Sequence, residues 1–180
     1  MIFHGIIIRV RLTLHAILFI AILSFGCAPR TKEMVVHNLP QANAVHDPVI
    51  ITVSGGYPAT LMGSTLVSNE NFSTALAQSL RKTGLFRSVE TSGNAPYILN
   101  VTLENPSRAS EHASTTFGLK VDWRLMRPPN KILWHTKTEA FFSGSPGGTF
   151  VALQRLRMAT EEAARRNIEQ ALAELASLNF

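Results

Sequence analysis

TFGLKVDWRLMRPPNKILWHTKTEAFF, residues 116–142, opens with an apolar side chain at every second position. Phe117, Leu119, Val121, Trp123 and Leu125 point one way, and Thr116, Gly118, Lys120, Asp122 and Arg124 point the other. A period of two is that of a β-strand, and a slip of one residue would turn the whole apolar set outward, so the register is well specified. Pro128-Pro129-Asn130 supplies a turn, and Lys131 to Phe142, with Trp134, supplies a partner arm, so the stretch predicts a long antiparallel hairpin. The second arm alternates less cleanly, because Leu133 and Phe141 oppose Ile132, Trp134 and Phe142 in parity. That pattern predicts an arm that is central in the sheet or covered on both faces.

A hairpin with one apolar face needs neighbours and a cover. Upstream, Tyr97, Leu99, Val101 and Leu103 alternate with Ile98, Asn100, Thr102 and Glu104, and a polar loop from Asn105-Pro106 to Ser114 joins this strand to the hairpin. Earlier still, the β-branched run Val49-Ile50-Ile51-Thr52-Val53 reads as a first strand, closed by Gly55-Gly56 and Pro58. Residues 57–67 show no clear period and read as a loop.

Two segments have the helical period. Phe72, Ala75, Leu76 and Leu80 recur on one helical face behind a cap at Ser68 or Asn69. Arg81 and Lys82 sit in the last turn, Gly84 ends it as a left-handed cap, and Leu85 and Phe86 return to the core. After the break at residues 143–148, Leu153, Leu156, Ala164, Ile168, Leu172 and Leu175 form one stripe, with Arg165, Arg166, Glu169 and Glu174 off it. That helix runs to about 28 residues, more than twice the usual length, and a kink or break around residues 158–160 would fit it. The order strand, helix, strand, strand, strand, helix predicts an α+β fold: a mostly antiparallel sheet with both helices packed on one face.

The amino-terminal end carries a different signal. Arg9 and Arg11 precede an apolar run from Leu12 to Leu23, which ends at Ser24-Phe25-Gly26-Cys27. A helix needs ~20 residues to cross a bilayer, so a run of about a dozen favours an exported leader over a permanent span. An uncleaved anchor is the alternative. The sequence thus divides into a signal peptide at 1–26, a lipid-anchored flexible tether at 27–47 and a single domain at 48–180. Residues 28–47 are polar, contain Pro29 and Pro40, and show no sustained period, so they predict an extended leash with little to bury. At ~3.3 Å per extended residue such a leash would let the domain stand off by several nanometres.

Cys27 is the sole cysteine. An exported chain with one thiol cannot close an internal disulfide, and a thioether-linked lipid accounts for its being kept. The segment resembles the lipid-attachment motif of bacterial lipoproteins in Gly26 and Cys27, with Ser24 where a leucine is usual. The resemblance implies acyl chains on Cys27 that hold the protein to a membrane, and Ala28 in place of aspartate implies the periplasmic face of the outer membrane. Several acyl chains hold firmly where a single one does not.

Charge and export bear together on one class of partner. The chain has 17 Lys and Arg against 12 Asp and Glu; without Arg9 and Arg11 the remainder has 15 against 12, a net charge near +3. That balance, together with export, argues against nucleic-acid binding.

Candidate chemistry is sparse. His37, His46, His112 and His135 show no metal-ligand spacing, and no cofactor motif is present, so neither metal nor cofactor is predicted. Ser54 before Gly55-Gly56 lacks the flanking glycines of a nucleophile turn, and His46-Asp47 would complete a triad only if the fold brought them together. Residues 144–148 precede a helix as a phosphate loop does, but no lysine follows at the required spacing. No catalytic residue is therefore assigned, and the chain is predicted not to be an enzyme. Lys120, Asp122 and Arg124 share the polar face of the hairpin's first arm, with Lys137 and Glu139 expected across from them as ion pairs or as part of a docking surface.

Three segments together, FSTALAQSLRKTGLF (72–86), APYILNVTL (95–103) and VDWRLMRPPNKILW (121–134), resemble a group of bacterial envelope lipoproteins. The group includes the outer-membrane activators of peptidoglycan synthases, the curli secretion lipoprotein and the amino-terminal domain of the Tol-Pal β-propeller protein. The likeness spans residues 49–178 and implies a small α/β domain that binds another envelope protein and catalyses nothing. The stretch LRKTGLF (80–86) also resembles auxiliary lipoproteins of lipid-transport ABC systems. That role calls for an apolar groove between sheet and helices.

Overall fold

The computed structural model describes residues 29–42, 45–57, 66–104, 108–111, 114–144 and 149–178. In chain order the elements are α1 (Thr31–Met34), β1 (Val49–Ser54), α2 (Asn69–Thr83), β2 (Val89–Glu90), β3 (Tyr97–Glu104), β4 (Arg108–Glu111), β5 (Ser114–Arg127), β6 (Lys131–Gly144) and α3 (Thr149–Ala176). The fold is α+β, with two substantial helices on one face of a mixed sheet, as the periodicities predict.

β5 is the spine of that sheet. Its second half pairs antiparallel with β3, its first residues pair with β4, and β6 runs antiparallel along its other side. β1 lies parallel to β3, and the two-residue β2 lies parallel to β1. β4 falls inside the segment expected to be a polar loop. It has no apolar alternation to announce it and forms by pairing with the extended start of β5.

The apolar set of the hairpin's first arm is the centre of the core. Phe117, Leu119, Val121, Trp123 and Leu125 are all buried, together with Val49, Ile51, Leu99, Val101 and Leu103 from the strands beside them. α2 covers this face with Phe72, Leu76 and Leu80, and the Phe72 ring lies 5.9 Å from that of Trp123. Both predicted ends of α2 are present. The Ser68 hydroxyl accepts the Asn71 N–H at 3.1 Å, and Gly84 holds the left-handed conformation at φ 65°. α3 runs unbroken through residues 158–160, where the Thr160 hydroxyl donates to the Leu156 carbonyl, and it buries Ala163, Ala164, Ile168, Ala171, Leu172 and Leu175.

One polar chain crosses this apolar layer. Trp123 Nε1 donates to the Thr138 hydroxyl, which donates to Asn167 Oδ1, and Asn167 Nδ2 donates to the carbonyls of Leu119 and Ala163. The chain ties β5, β6 and α3 together with each buried polar atom satisfied, which fixes the helix in one position over the sheet.

Two expectations change. β6 is neither central nor covered on both faces: among the described residues it pairs only with β5. Its mixed parity has another cause. Leu125 pairs with Trp134 and Met126 with Ile132, so Leu133 is an extra residue in a β-bulge, and the alternation switches face at that point.

The second change concerns residues 29–42 and 45–47, the described part of the expected leash at 27–47. Met34, Val35 and Val36 are 0, 5 and 2 % exposed and belong to the core. α1 packs on α2 and α3 and touches no strand, so it belongs to the helical side of the sheet. Three adjacent apolar residues give no period, yet each contributes ~1.5–3 kcal/mol when buried. Beyond them the chain stays bound, with the Val36 N–H on the Ser79 hydroxyl at 2.9 Å, the Ala42 N–H on the Thr83 carbonyl at 3.0 Å and the His46 N–H on the Leu85 carbonyl at 2.7 Å.

Candidate functional site

The helices cover one face of the sheet, and the register lays out the side chains of the other. Thr52, Asn100, Arg124 and His135 form one row across it; Ser54, Thr102, Asp122 and Lys137 form the next; Glu104, Lys120 and Glu139 form a third. At the hairpin-turn end the row is apolar, Ile50, Ile98, Met126 and Ile132, and at the far end Phe141 stands opposite Gly118. Ile132 and Phe141 are 56 and 53 % exposed. The open face is thus a polar field with a large apolar side chain at each end. A shallow depression in it is lined by Thr52, Ser54, Asn100, Thr102, Asp122 and Arg124.

Asp122 is the hub of this field. Its carboxylate meets Arg124 Nε at 3.0 Å, His135 Nε2 at 3.1 Å and Lys137 Nζ at 3.6 Å, while Lys137 also reaches Glu104 at 2.6 Å and Lys120 pairs with Glu139 at 3.2 Å. The ion pairs expected from the alternation are therefore present, with His135 as an additional member. Burial pushes the Asp122 carboxyl up, but the His135 hydrogen bond and the charges of Arg124 and His135 together outweigh it and hold the group below the usual carboxylate range. The Glu104 carboxylate raises Lys137 in the same way. Pairs this exposed on their cationic side are screened by water and contribute little to stability. What the lattice does is hold two half-exposed cations, Arg124 and Lys137, and the His135 ring round one shielded carboxylate, an arrangement that can recognise a polar or acidic surface.

The second feature is the seating of the amino-terminal segment. The Pro29 carbonyl accepts from Asn71 Nδ2 at 3.2 Å, the Arg30 N–H donates to Glu161 Oε1 at 2.7 Å, and the Thr31 hydroxyl donates to Asn71 Oδ1 at 3.3 Å. Glu161 is buried, with Arg157 one helical turn away at 3.5 Å. Burial raises its carboxyl above the usual range, partly offset by the Arg30 N–H and the Arg157 charge. Sequence reasoning missed this clamp. The signal available was the triplet Met34-Val35-Val36 inside an otherwise polar stretch, together with an Arg157–Glu161 pair set in the final helix.

Other expected positions scatter. Cys27, His112 and the turn at 145–148 lie outside the described residues. Ser54 ends β1, with its hydroxyl 3.5 Å from that of Thr102, whereas His46 precedes β1 among the rings of Phe86 and Tyr97. The length of β1, ~16 Å at 3.3 Å per residue, lies between Ser54 and the His46 end, so the two cannot act together. Gly55 is there for the chain's path: at φ 81° a Cβ would stand 2.2 Å from the Leu103 carbonyl oxygen. His37 contacts Lys82, and His135 serves Asp122. Among the described residues no three His, Cys, Asp or Glu side chains gather as a metal site. A cleft lined by Gly55, Gly56, Leu103, Phe117 and Leu119, where β1 and β3 end, holds about 10 Å³, room for one water at most.

No family model matches the chain, and no curated protein matches it. Solved structures do match in fold. A protein of Xanthomonas campestris superimposes with a TM-score of 0.55 at 9 % identity, over 77 % of this chain and 90 % of that one. A minor lipoprotein from Acinetobacter baumannii gives 0.54 at 10 % identity, over 77 and 94 %. A hypothetical protein from Chlamydia trachomatis gives 0.50 at 9 % identity, over 74 and 96 %. At these identities the likeness is one of fold.

Proposed function

We propose that this chain is a non-catalytic, lipid-anchored lipoprotein of the bacterial envelope, acylated on Cys27 and held on the periplasmic face of the outer membrane, where it binds or helps assemble another envelope protein. The observation that carries this reading is the seating of residues 29–36. The chain becomes fixed to its domain two residues after the cysteine at which the leader would be cut, so a mature protein starting at Cys27 keeps the whole clamp. The minor lipoprotein of Acinetobacter baumannii with a similar fold supports the reading.

The open sheet face is the surface offered to the partner. Its ion lattice gives little stability, while Ile132 and Phe141 provide exposed apolar anchors at its two ends.

Photo-crosslinking in cells from positions 102 and 141 tests the partner role. The expected result is a discrete adduct with an envelope protein, absent when the crosslinker sits at exposed Glu174 on the helical side. Adducts of equal strength from all three positions, or from none, would overturn it. A Cys27→Ser variant should leave the membrane fraction while keeping its fold.

A further inference from the structure

Resting on the lipid-anchor reading, a more specific consequence follows from where the clamp lies. We propose that the helical side of the domain, around Pro29 and α1, is its membrane-facing side, and that the open sheet face is turned into the aqueous compartment. The link between anchor and fold is short: from Pro29 back to Cys27 is two residues, ~7 Å of extended chain. The expected long leash is unavailable, because Arg30, Val36, Ala42 and His46 each make a backbone hydrogen bond to α3, to α2 or to the turn after α2.

Position then follows from layering. α1 packs on α2 and α3 and touches no strand, and those helices lie on the covered face of the sheet. A helix packs ~10 Å from the sheet beneath it, so the open face is at least ~10 Å beyond the segment that carries the anchor. A bilayer held by Cys27 therefore meets Thr31, Lys32 and Glu33 long before it meets Thr102 or Lys137. The occupant of the helical flank is the lipid surface, and the Asp122 lattice stays free for a protein.

The arrangement is measurable on the full acylated protein in phospholipid vesicles. A fluorophore is placed singly at residue 32, 33, 102 or 137 by unnatural amino-acid incorporation, which spares Cys27, and is quenched by nitroxide lipids in the outer leaflet. Several-fold stronger quenching at 32 and 33 than at 102 and 137 is expected. Inserting twenty Gly-Ser residues between Ala28 and Pro29 should abolish that difference while leaving acylation and membrane retention intact. Equal quenching at all four sites of the uninserted protein, or stronger quenching at 102, would overturn the orientation. The mass of each labelled sample separates the two claims: a protein without lipid on Cys27 defeats the anchor reading, and an acylated protein with uniform quenching defeats the orientation alone.

Discussion

The two faces of one sheet are built on opposite principles. On the covered face β5 presents Phe117, Leu119, Val121, Trp123 and Leu125, all buried, and the polar atoms there are joined in a single satisfied chain through Thr138 and Asn167. On the open face the same strand presents Lys120, Asp122 and Arg124 in a lattice of ion pairs screened by water on its cationic side. Burial makes the first face the source of stability, and weak screened pairing leaves the second available for another task. A surface that contributes little to folding can be specialised for recognition without endangering the fold.

Substitutions should separate the faces sharply. Trp123→Ala, which empties the centre of the covered face and removes the donor to Thr138, should cost ~3–5 kcal/mol in urea unfolding. Asn167→Leu leaves the Thr138 hydroxyl and the Leu119 carbonyl without their partner and should cost ~1–3 kcal/mol, with helix and sheet otherwise retained. If either change proved as mild as a surface substitution, the contrast between the faces would fail.

The outside of α3 provides an intermediate case. Glu162 is held by Arg165 at 2.8 Å and Arg166 at 2.7 Å, and the Arg165 hydrogen bonds bring its carboxyl down to about 2. A depressed carboxyl contributes stability that is fully present above its unfolded value of 4.5 and lost as pH falls through about 2. Glu162→Gln should therefore cost ~1–2 kcal/mol at pH 7, with the difference shrinking as pH falls below 4.5 and vanishing only below about 2, seen as converging melting temperatures of variant and parent on acidification. Asp122→Asn, on the open face, should cost under ~1 kcal/mol at pH 7. Because Asp122 is also held below its ordinary range, that small difference should shrink as pH falls through its folded value. The same substitution should weaken partner capture from the open face far more than it changes stability.

How much of this was legible in the sequence depended on whether burial left a period. β5, β3 and α2 bury one clean face each, and their residues and caps are where the alternation and the glycine at 84 put them. β6 was harder to read, because the bulge at Leu133 changes parity inside the strand and the pairing needed to see it is non-local. β4 and β2 are short and owe their form to their neighbours. The amino-terminal segment reads as a leash in the sequence because Met34-Val35-Val36 has no periodicity and its partners, Ser79 and Glu161, lie 43 and more than 100 residues away. The open-face lattice was partly visible as Lys120, Asp122, Arg124, Lys137 and Glu139, but the place of His135 beside Asp122 depends on the register of the whole hairpin.

The intact mass of the protein purified from membranes tests the account at its root. The expected species begins at Cys27 and carries additional mass equal to a diacylglyceryl group and an amide-linked acyl chain. A species that retains residues 1–26, or one with an unmodified Cys27, would contradict it.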